Sequence, residues 1–199
     1  MAELQLEVQG EYHDIQISPE AQLNGSSIKV RNNGGPCSVH VGAGVKGKWS
    51  ISVSGGASVV IGEGSTCESA MIVAHGGDIT IGKDCMFSFS VEMRATDTHA
   101  IYDIDSGNRI NPDKPIVIGD HVWLGKQVMI MKGANIGSGS VVGARAVVSG
   151  QVPPLSVSAG IPARVLRTNV VWTRRIGKGQ LDADPAALGI VEAVRSASA

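Results

Sequence analysis

An aliphatic residue recurs at every sixth position through the second half of the chain. The recurrence runs without a break through Ile118, Leu124, Ile130, Ile136, Val142 and Val148. A period of six matches neither the 3.6-residue repeat of a helix nor the two-residue repeat of a strand. It fits short strands separated by turns, with one aliphatic side chain of each hexad pointing into a shared interior. We therefore predict a coil of stacked parallel strands rather than a glycine-rich β-sandwich whose spacing is accidental.

The same pattern extends toward the N-terminus with a longer period. The pairs Val41-Gly42, Ile61-Gly62 and Ile81-Gly82 are 20 residues apart, which predicts coils with loose corners. Glycine is abundant, with 26 residues, as expected for many tight turns. We predict a cap over residues 1–25, a coil over 26–167 with a loop at 100–115, and a C-terminal segment over 168–199. In that segment Asp184 and Pro185 have the residue types that begin a short helix.

Charge and composition exclude several classes of protein. The formal net charge is −1, which does not favour a nucleic-acid partner. The N-terminus has no basic and apolar leader, and no apolar run is long enough to cross a membrane. The three cysteines are an odd number without close pairing, which favours a reducing cytoplasm over a disulfide framework. No C-x-x-C occurs, so we expect no cysteine-bound zinc.

The stretch TDTHAIYD breaks the regular pattern. It places His99 between Asp97 and Asp103, ahead of a polar segment with Gly107 and Pro112. The pattern alone favours a solvent-exposed loop histidine between surface aspartates. The alternative is a general base, because an imidazole titrates near neutral pH and a carboxylate can orient it. If the segment is extended, both aspartates share a face with His99.

Three blocks of the sequence carry a resemblance to a known family. They are RATDTHAIYD with the loop ending in NPDKPIVIGD, then IGDHVWLGKQVMIMKGANIGSGSVVGARAVVSG, and then VPPLSVSAGIPARVLR. Together they resemble the hexapeptide-repeat acyltransferases, and within them the acetyl-CoA-dependent O-acetyltransferases of sugars and polysaccharides. The resemblance implies an all-β fold: a single-stranded left-handed parallel β-helix of hexapeptide repeats, with an excursion loop and a short C-terminal helix. It also implies a homotrimer with active sites between subunits.

The resemblance assigns catalytic roles to residues of the irregular stretch. His99 matches the family's catalytic histidine, and Trp123 follows it 24 positions later as a wall of the acetyl pocket. Asp97 and Asp103 are alternative residues to orient His99. The indole N–H of Trp123, or the backbone near it, is a candidate donor to the acetyl or acceptor oxygen. The plain alternative for Trp123 is packing on the coil surface.

The resemblance also assigns a slot for acetyl-CoA. The residues carried over are Trp123, Gly125, Lys126, Gly143, Ala144, Ser149, Gly150, Arg164 and Arg167. Guanidinium groups suit the coenzyme phosphates, although ordinary solvated charge is the alternative for these arginines. Ser149 and Gly150 stand where relatives often have Thr-Lys, so one positive contact is missing. Arg145 replaces a usual small residue and is a candidate to compensate.

The acceptor is less constrained than the donor. Arg109 and Asn111 are candidates to contact sugar hydroxyls, or they satisfy only the loop itself. N-acetylation, or transfer to an antibiotic or small alcohol, would use a similar site. A γ-carbonic-anhydrase-like lyase is disfavoured, because His99 and His121 are 22 positions apart and no H-x-x-x-x-H occurs. We expect no metal. A non-catalytic solenoid remains a third class, which failure to bind acetyl-CoA would support.

Overall fold

A computed structural model describes residues 3–174, 181 and 184–197. Nineteen strands and one helix lie in this part of the chain. They are β1 Gln5–Gln9, β2 Asp14–Ile17, β3 Ser27–Arg31, β4 Ser38–Val41, β5 Lys46–Ser54, β6 Ser58–Ile61, β7 Thr66–His75, β8 Ile79–Ile81, β9 Met86–Phe87, β10 Val91–Arg94, β11 Ile116–Ile118, β12 Trp123–Leu124, β13 Met129–Met131, β14 Asn135–Ile136, β15 Val141–Val142, β16 Val147–Val148, β17 Gln151–Val152, β18 Ser156–Ala159, β19 Arg164–Thr168 and α1 Pro185–Ala197.

The strands stack in parallel on three faces of a solenoid. The first face runs from the start of β7 through β9, β12 and β15 to β18. The second runs from β1 through β3, the end of β5 and the end of β7 to β10, β13 and β16. The third contains β2, β4, β6, β8, β11, β14 and β17. The chain visits the faces in this order in each of about seven turns, which confirms the all-β coil predicted from the hexads.

The aliphatic lattice forms the interior of this coil. All six lattice residues from Ile118 to Val148 are buried, and none exposes more than 2% of its surface. In the N-terminal half Val41, Ile61 and Ile81 stack in direct register on the third face, as their spacing predicted. Since each coil covers one side of the next, the apolar core is continuous along the axis.

Glycine follows seven of these nine aliphatics, and the neighbouring coil gives a steric cause for it. A Cβ added to Gly62 would lie 2.5 Å from the carbonyl carbon of Gly82 in the next coil. A Cβ added to Gly125 would lie 2.7 Å from the backbone nitrogen of Ala144. Such contacts are too close for any side chain, so close stacking of the coil corners selects glycine. The aliphatic-Gly repeat is thus a signature of stacking.

The N-terminal residues follow the regular coil, and two later segments depart from it. Residues 5–17 form β1 and β2, which pair in register with β3 and β4, so the expected cap is itself a terminal coil. Residues 95–115 form a loop between β10 and β11, and β19 turns back antiparallel against β18.

The predicted C-terminal helix is confirmed and begins at Pro185. The Asp184 carboxylate accepts the Ala187 N–H at 3.2 Å as its N-cap. In the described ranges, no helix combines the length and apolar character that crossing a bilayer requires.

Candidate functional site

The predicted site residues lie on different edges of the solenoid. His99 belongs to the loop between the second and third faces, whereas Trp123 begins a strand of the first face. Gly125 and Gly143 follow first-face strands, at the corner where the chain passes to the second face. In one protomer the predicted residues therefore form separate groups at different corners of the solenoid.

His99 projects from the loop into solvent. Its side chain is exposed, and neither ring nitrogen has a hydrogen-bond partner among the described residues. Its backbone is fixed more firmly, because its N–H donates to the Asp97 carbonyl at 2.7 Å and its own carbonyl accepts from Asn111 Nδ2 at 2.8 Å. The result is an imidazole held by its backbone with both nitrogens available to a ligand.

The two aspartates predicted to orient His99 accept hydrogen bonds from other groups. Asp97 Oδ2 accepts from Lys132 Nζ at 2.5 Å and from Asn111 Nδ2 at 2.8 Å. These bonds, with that of Lys132 first, lower the pKa of Asp97 below its usual 3.8. Asp103 Oδ1 accepts from the N–H and Oγ of Ser106, which lowers the pKa of Asp103 and caps the tip of the loop. The predicted carboxylate–imidazole pair is not formed within the described protomer.

Asn111 is an internal tie of the loop. It is 8% exposed, and its Oδ1 accepts from the N–H of Ile101 at 2.6 Å and from Arg109 Nε at 3.4 Å. Both ends of its amide are therefore used by groups of the loop itself, which is the alternative role expected for this residue. Arg109 also contacts Asp113 at 3.4 Å while keeping part of its guanidinium exposed.

Trp123 lies on the outer surface of the first face and is 39% exposed. Its ring centroid lies 6.0 Å from that of Trp172, which belongs to the segment after β19. A recess of about 330 Å³ adjoins the indole and is lined also by Thr66, Glu68 and Met86. A larger recess of about 690 Å³ lies on the third face beside β2, β4 and β6, away from these residues. Trp123 thus combines partial packing with a surface open to a ligand.

The predicted coenzyme residues divide between two corners and the last strand. Gly125, Lys126, Gly143 and Ala144 stack along the corner between the first and second faces, where the Lys126 carbonyl accepts the N–H of Arg145 at 2.8 Å. Arg145 also donates from Nε to Gln127 at 3.0 Å.

The remaining coenzyme residues lie elsewhere in the coil. Ser149 and Gly150 lie at the corner between the second and third faces, the corner that carries His99. Arg164 and Arg167 are exposed on β19.

A polar cluster that the sequence did not predict occupies the third corner, between the third and first faces. Asp84 accepts from Arg174 Nε at 2.6 Å and lies 2.6 Å from His121 Nδ1. The His121 ring stacks on Trp172 at 4.1 Å, and its Nε2 lies 2.9 Å from the Trp172 carbonyl. Trp172 Nε1 donates back to the His121 carbonyl at 2.7 Å. This cluster fixes the segment after β19 beside Trp123. The sequence gives one signal for the cluster, which is that Trp172 is one of only three tryptophans.

Burial and hydrogen bonding oppose each other at this cluster. Burial by itself raises the pKa of Asp84, but the hydrogen bonds from His121 and Arg174 outweigh it, so the pKa of Asp84 is lowered. Burial by itself lowers the pKa of His121, but the bonds to Asp84 and to the Trp172 carbonyl raise that pKa overall. The cluster therefore favours a charged histidine beside a charged aspartate.

Comparison with known proteins identifies the class and then the family. Residues 115–150 match the family model described as bacterial transferase hexapeptide, six repeats. The chain superposes on the crystal structure of the polySia-specific acetyltransferase NeuO with a TM-score of 0.82 at 28% identity, covering 96% of this chain and 98% of that one. The coil and these matches define a hexapeptide-repeat transferase.

Two curated relatives narrow this class. The polysialic acid O-acetyltransferase of Neisseria meningitidis is 34% identical over 176 residues, which cover 85% of this chain and 76% of the relative. The polysialic acid O-acetyltransferase of Escherichia coli O1:K1 is 36% identical over 137 residues, covering 68% of this chain and 44% of the relative. This chain thus spans less than half the length of the E. coli relative. The chain belongs to the family of hexapeptide-repeat O-acetyltransferases.

Proposed function

We propose that the chain transfers an acetyl group from acetyl-CoA to a hydroxyl of a sugar or polysaccharide. The observation that carries the proposal is the exposed His99 ring, whose two nitrogens are without partners in the described chain while its backbone is held on both sides. A base in this state accepts a proton without first breaking a bond. The curated relatives, named for O-acetylation of polysialic acid, support the same reaction and make polysialic acid the first acceptor to test.

The proposed reaction needs one base and one donor. His99 takes the proton of the acceptor hydroxyl as the oxygen attacks the thioester carbonyl. The C–S bond then breaks, and the proton passes from the imidazolium to the departing thiolate. The backbone N–H groups of Trp123 and Gly125 already donate to Ser140 and Val142 of the next coil. The Trp123 indole N–H, without a partner in the described residues, is therefore our candidate donor to the thioester oxygen.

We propose that the active unit is a homotrimer with sites between subunits. His99 lies at the corner between the second and third faces, whereas Trp123 and Gly125, two positions apart, lie on the first face and at its corner with the second. They meet only where an edge of one copy faces a different edge of the next. A symmetric ring repeats such a contact and closes it.

Acetyl-CoA fits the exposed cations of two places, the corner between the first and second faces and β19. Lys126, Arg164 and Arg167 supply positive charge for its phosphates, and Trp123 lines the acetyl end. Arg145 can add a further contact from the exposed end of its guanidinium.

We propose a cytoplasmic protein, in agreement with the free thiols of Cys37, Cys67 and Cys85.

Thiol release from acetyl-CoA, measured with polysialic acid, galactosides and amino sugars, tests the proposal. We expect transfer to a hydroxyl-bearing acceptor and a loss of about two to four orders of magnitude in kcat for His99→Ala. His40→Ala is the matched control, because His40 pairs with Asp14 in an N-terminal coil and its removal should leave kcat unchanged. Retention of full kcat in His99→Ala would contradict the mechanism. Transfer only to amino sugars would move the reaction to N-acetylation.

A further inference from the structure

The residue before His99 has an unusual backbone conformation. Thr98 has a φ of 68°, and the N–H of His99 donates to the carbonyl of Asp97 at 2.7 Å across it. This is a three-residue γ-turn with a left-handed centre, a form that is rare and strained. Threonine is β-branched, so it is poorly suited to positive φ, and glycine would adopt the same turn more easily. The neighbouring structure must therefore hold this turn in place.

Lys132, in the next coil, makes hydrogen bonds that fix the turn. Its side chain is 16% exposed and follows β13, directly beside the strand that leads to the loop. The Lys132 ammonium donates to Asp97 Oδ2 at 2.5 Å, to the Asn111 carbonyl at 3.0 Å and to the Pro112 carbonyl at 3.0 Å. All three donor positions of one ammonium are thus used, and they join the incoming and outgoing ends of the loop.

Asn111 connects Lys132 to His99 through hydrogen bonds. Its Nδ2 donates both to Asp97 Oδ2 and to the His99 carbonyl, each at 2.8 Å. The γ-turn is therefore fixed before its centre at Asp97 and after its centre at His99, and both points lead back to Lys132. Two local bonds assist, from Thr98 N–H to Thr96 Oγ1 at 3.0 Å and from Arg94 to Thr98 Oγ1 at 3.3 Å. Arg94 is the last residue of β10 and ties the turn to its own coil, whereas Lys132 ties both ends of the loop to the next coil.

We propose that Lys132 is a positioning residue for the reaction: through Asp97 and Asn111 it imposes the γ-turn at Thr98, and this turn directs the His99 imidazole outward. The inference rests on the proposed role of His99 as base. It assigns Asp97 a function different from orienting the ring directly. It also separates two tasks for one loop, because the coil side sets the backbone while the solvent side is left free for the acceptor.

Lys132→Met tests the inference by kinetics, because methionine keeps an unbranched side chain and removes the ammonium. We expect kcat to fall roughly tenfold to a hundredfold, as for a reacting group misplaced by about 1 Å, with KM for acetyl-CoA within about twofold of wild type. Lys29→Met is the matched control; it removes an exposed ion pair with Glu7 and should leave both constants unchanged. A Lys132→Met enzyme with wild-type kcat would overturn the inference.

Thr98→Gly separates positioning from simple fastening of the loop. If Lys132 acts by imposing the left-handed turn, a glycine at 98 makes the turn less dependent on it. The loss of kcat caused by Lys132→Met should then be about fivefold or more smaller in a Thr98→Gly background than in wild type. An equal loss in both backgrounds would show that Lys132 only fastens the loop, and the inference would fail. If Lys132→Met does not fold, Asp97→Asn is tested in the same two backgrounds with the same expected difference.

An NMR measurement keeps this inference distinct from the proposed function. The His99 ring Cε1–H signal, assigned by its absence in His99→Ala, should shift in Lys132→Met and return toward wild type in Lys132→Met/Thr98→Gly. Failure of wild type to transfer acetyl to any acceptor would overturn the proposed function alone, since the NMR comparison still reports whether Lys132 sets the His99 turn. An unshifted His99 signal in Lys132→Met would overturn the inference whatever the activity.

Discussion

His121 is enclosed by two groups that can only accept hydrogen bonds. Its Nδ1 faces the Asp84 carboxylate at 2.6 Å, and its Nε2 faces the Trp172 carbonyl at 2.9 Å. Neutral imidazole has one N–H, so satisfying both acceptors requires the doubly protonated ring. We infer that the 1% exposed side chain of His121 carries a positive charge, compensated by Asp84. The sequence did not predict the burial of this histidine.

This charge predicts that the protein loses stability as the pH rises. The pKa of His121 is raised above its usual 6.5 in the folded chain, so its stabilising contribution is complete below pH 6.5. The contribution is lost as the pH rises through the folded-state pKa. Urea unfolding from pH 6 to pH 9 should therefore show falling stability in wild type and a smaller fall in His121→Asn. Asparagine suits the positive φ of 52° at this position and does not titrate.

His99→Gln provides the comparison for that experiment. His99 is an exposed histidine whose ring has no partner in the described residues, so the variant should keep the wild-type dependence of stability on pH. Equal dependence in wild type and His121→Asn would contradict the charged state inferred for His121.

Single residues differ in how far their roles could be predicted. The position of His99 in an exposed loop follows from the break in the hexads, and the structure agrees. The partner of Asp97 did not follow, because Lys132 lies 35 positions away and is brought close only by coil stacking. Gly125 belongs to the aliphatic-Gly repeat, but the sequence did not reveal that a Cβ there would clash with the backbone of Ala144 in the next coil. Long-range packing decides such cases, and one sequence does not record it.

Among the elements, the segment after β19 packs against the first face beside Trp123. The Trp172 indole covers the His121 ring and contacts Trp123, and Arg174 reaches across to Asp84, Thr66 and the Cys85 carbonyl. These hydrogen bonds of Arg174 reach residues that lie 89 to 108 positions earlier in the sequence. The segment therefore braces the first face from outside, and we expect its loss to affect stability first and the pocket second.

Substitutions of Trp172 should separate its ring from its hydrogen bond. Trp172 is 6% exposed, so Trp172→Ala should lower the free energy of unfolding by about 3–5 kcal/mol. Trp172→Phe keeps an aromatic ring and loses the bond to the His121 carbonyl, which costs about 1–3 kcal/mol for the acceptor left unpaired. Leu166→Ala, at a residue 68% exposed, should cost less than about 0.5 kcal/mol. Urea titrations measure all three, and a Trp172→Ala protein as stable as Leu166→Ala would show that the segment does not brace the coil.

At the scale of the whole molecule, the hexads predicted the architecture because every turn of the coil is built on the same short pattern of residues. Each turn repeats the same interior position, so a period in the sequence becomes a stack in space, as the register of Val41, Ile61 and Ile81 confirms. The loop over 95–115 and the cluster around His121 have no repeat. They are set by individual side chains that meet once, and a periodic pattern carries no information about them.

The proposed trimer predicts that two inactive variants restore each other. His99→Ala and Trp123→Ala each remove one part of every site. If a site takes His99 from one copy and Trp123 from another, refolding an equal mixture should restore about one quarter of the sites, by random assortment of the two chains. Acetyl transfer by the mixture measures this, and each variant refolded alone should stay inactive. A mixture without activity would place both residues of each site in a single chain.

The reversal of the chain at β19 limits how far this architecture can extend. Before the last turn each strand of the coil pairs with a parallel successor, which is the arrangement that also allows fibrils to lengthen without limit. On the first face β18 instead meets an antiparallel strand with a register shift between Val157 and Ser158, so no further coil can be added in the same sense. The antiparallel strand β19 thus prevents the addition of a parallel strand on this face. On the first face, a repeat that favours further stacking therefore ends because β19 runs the other way.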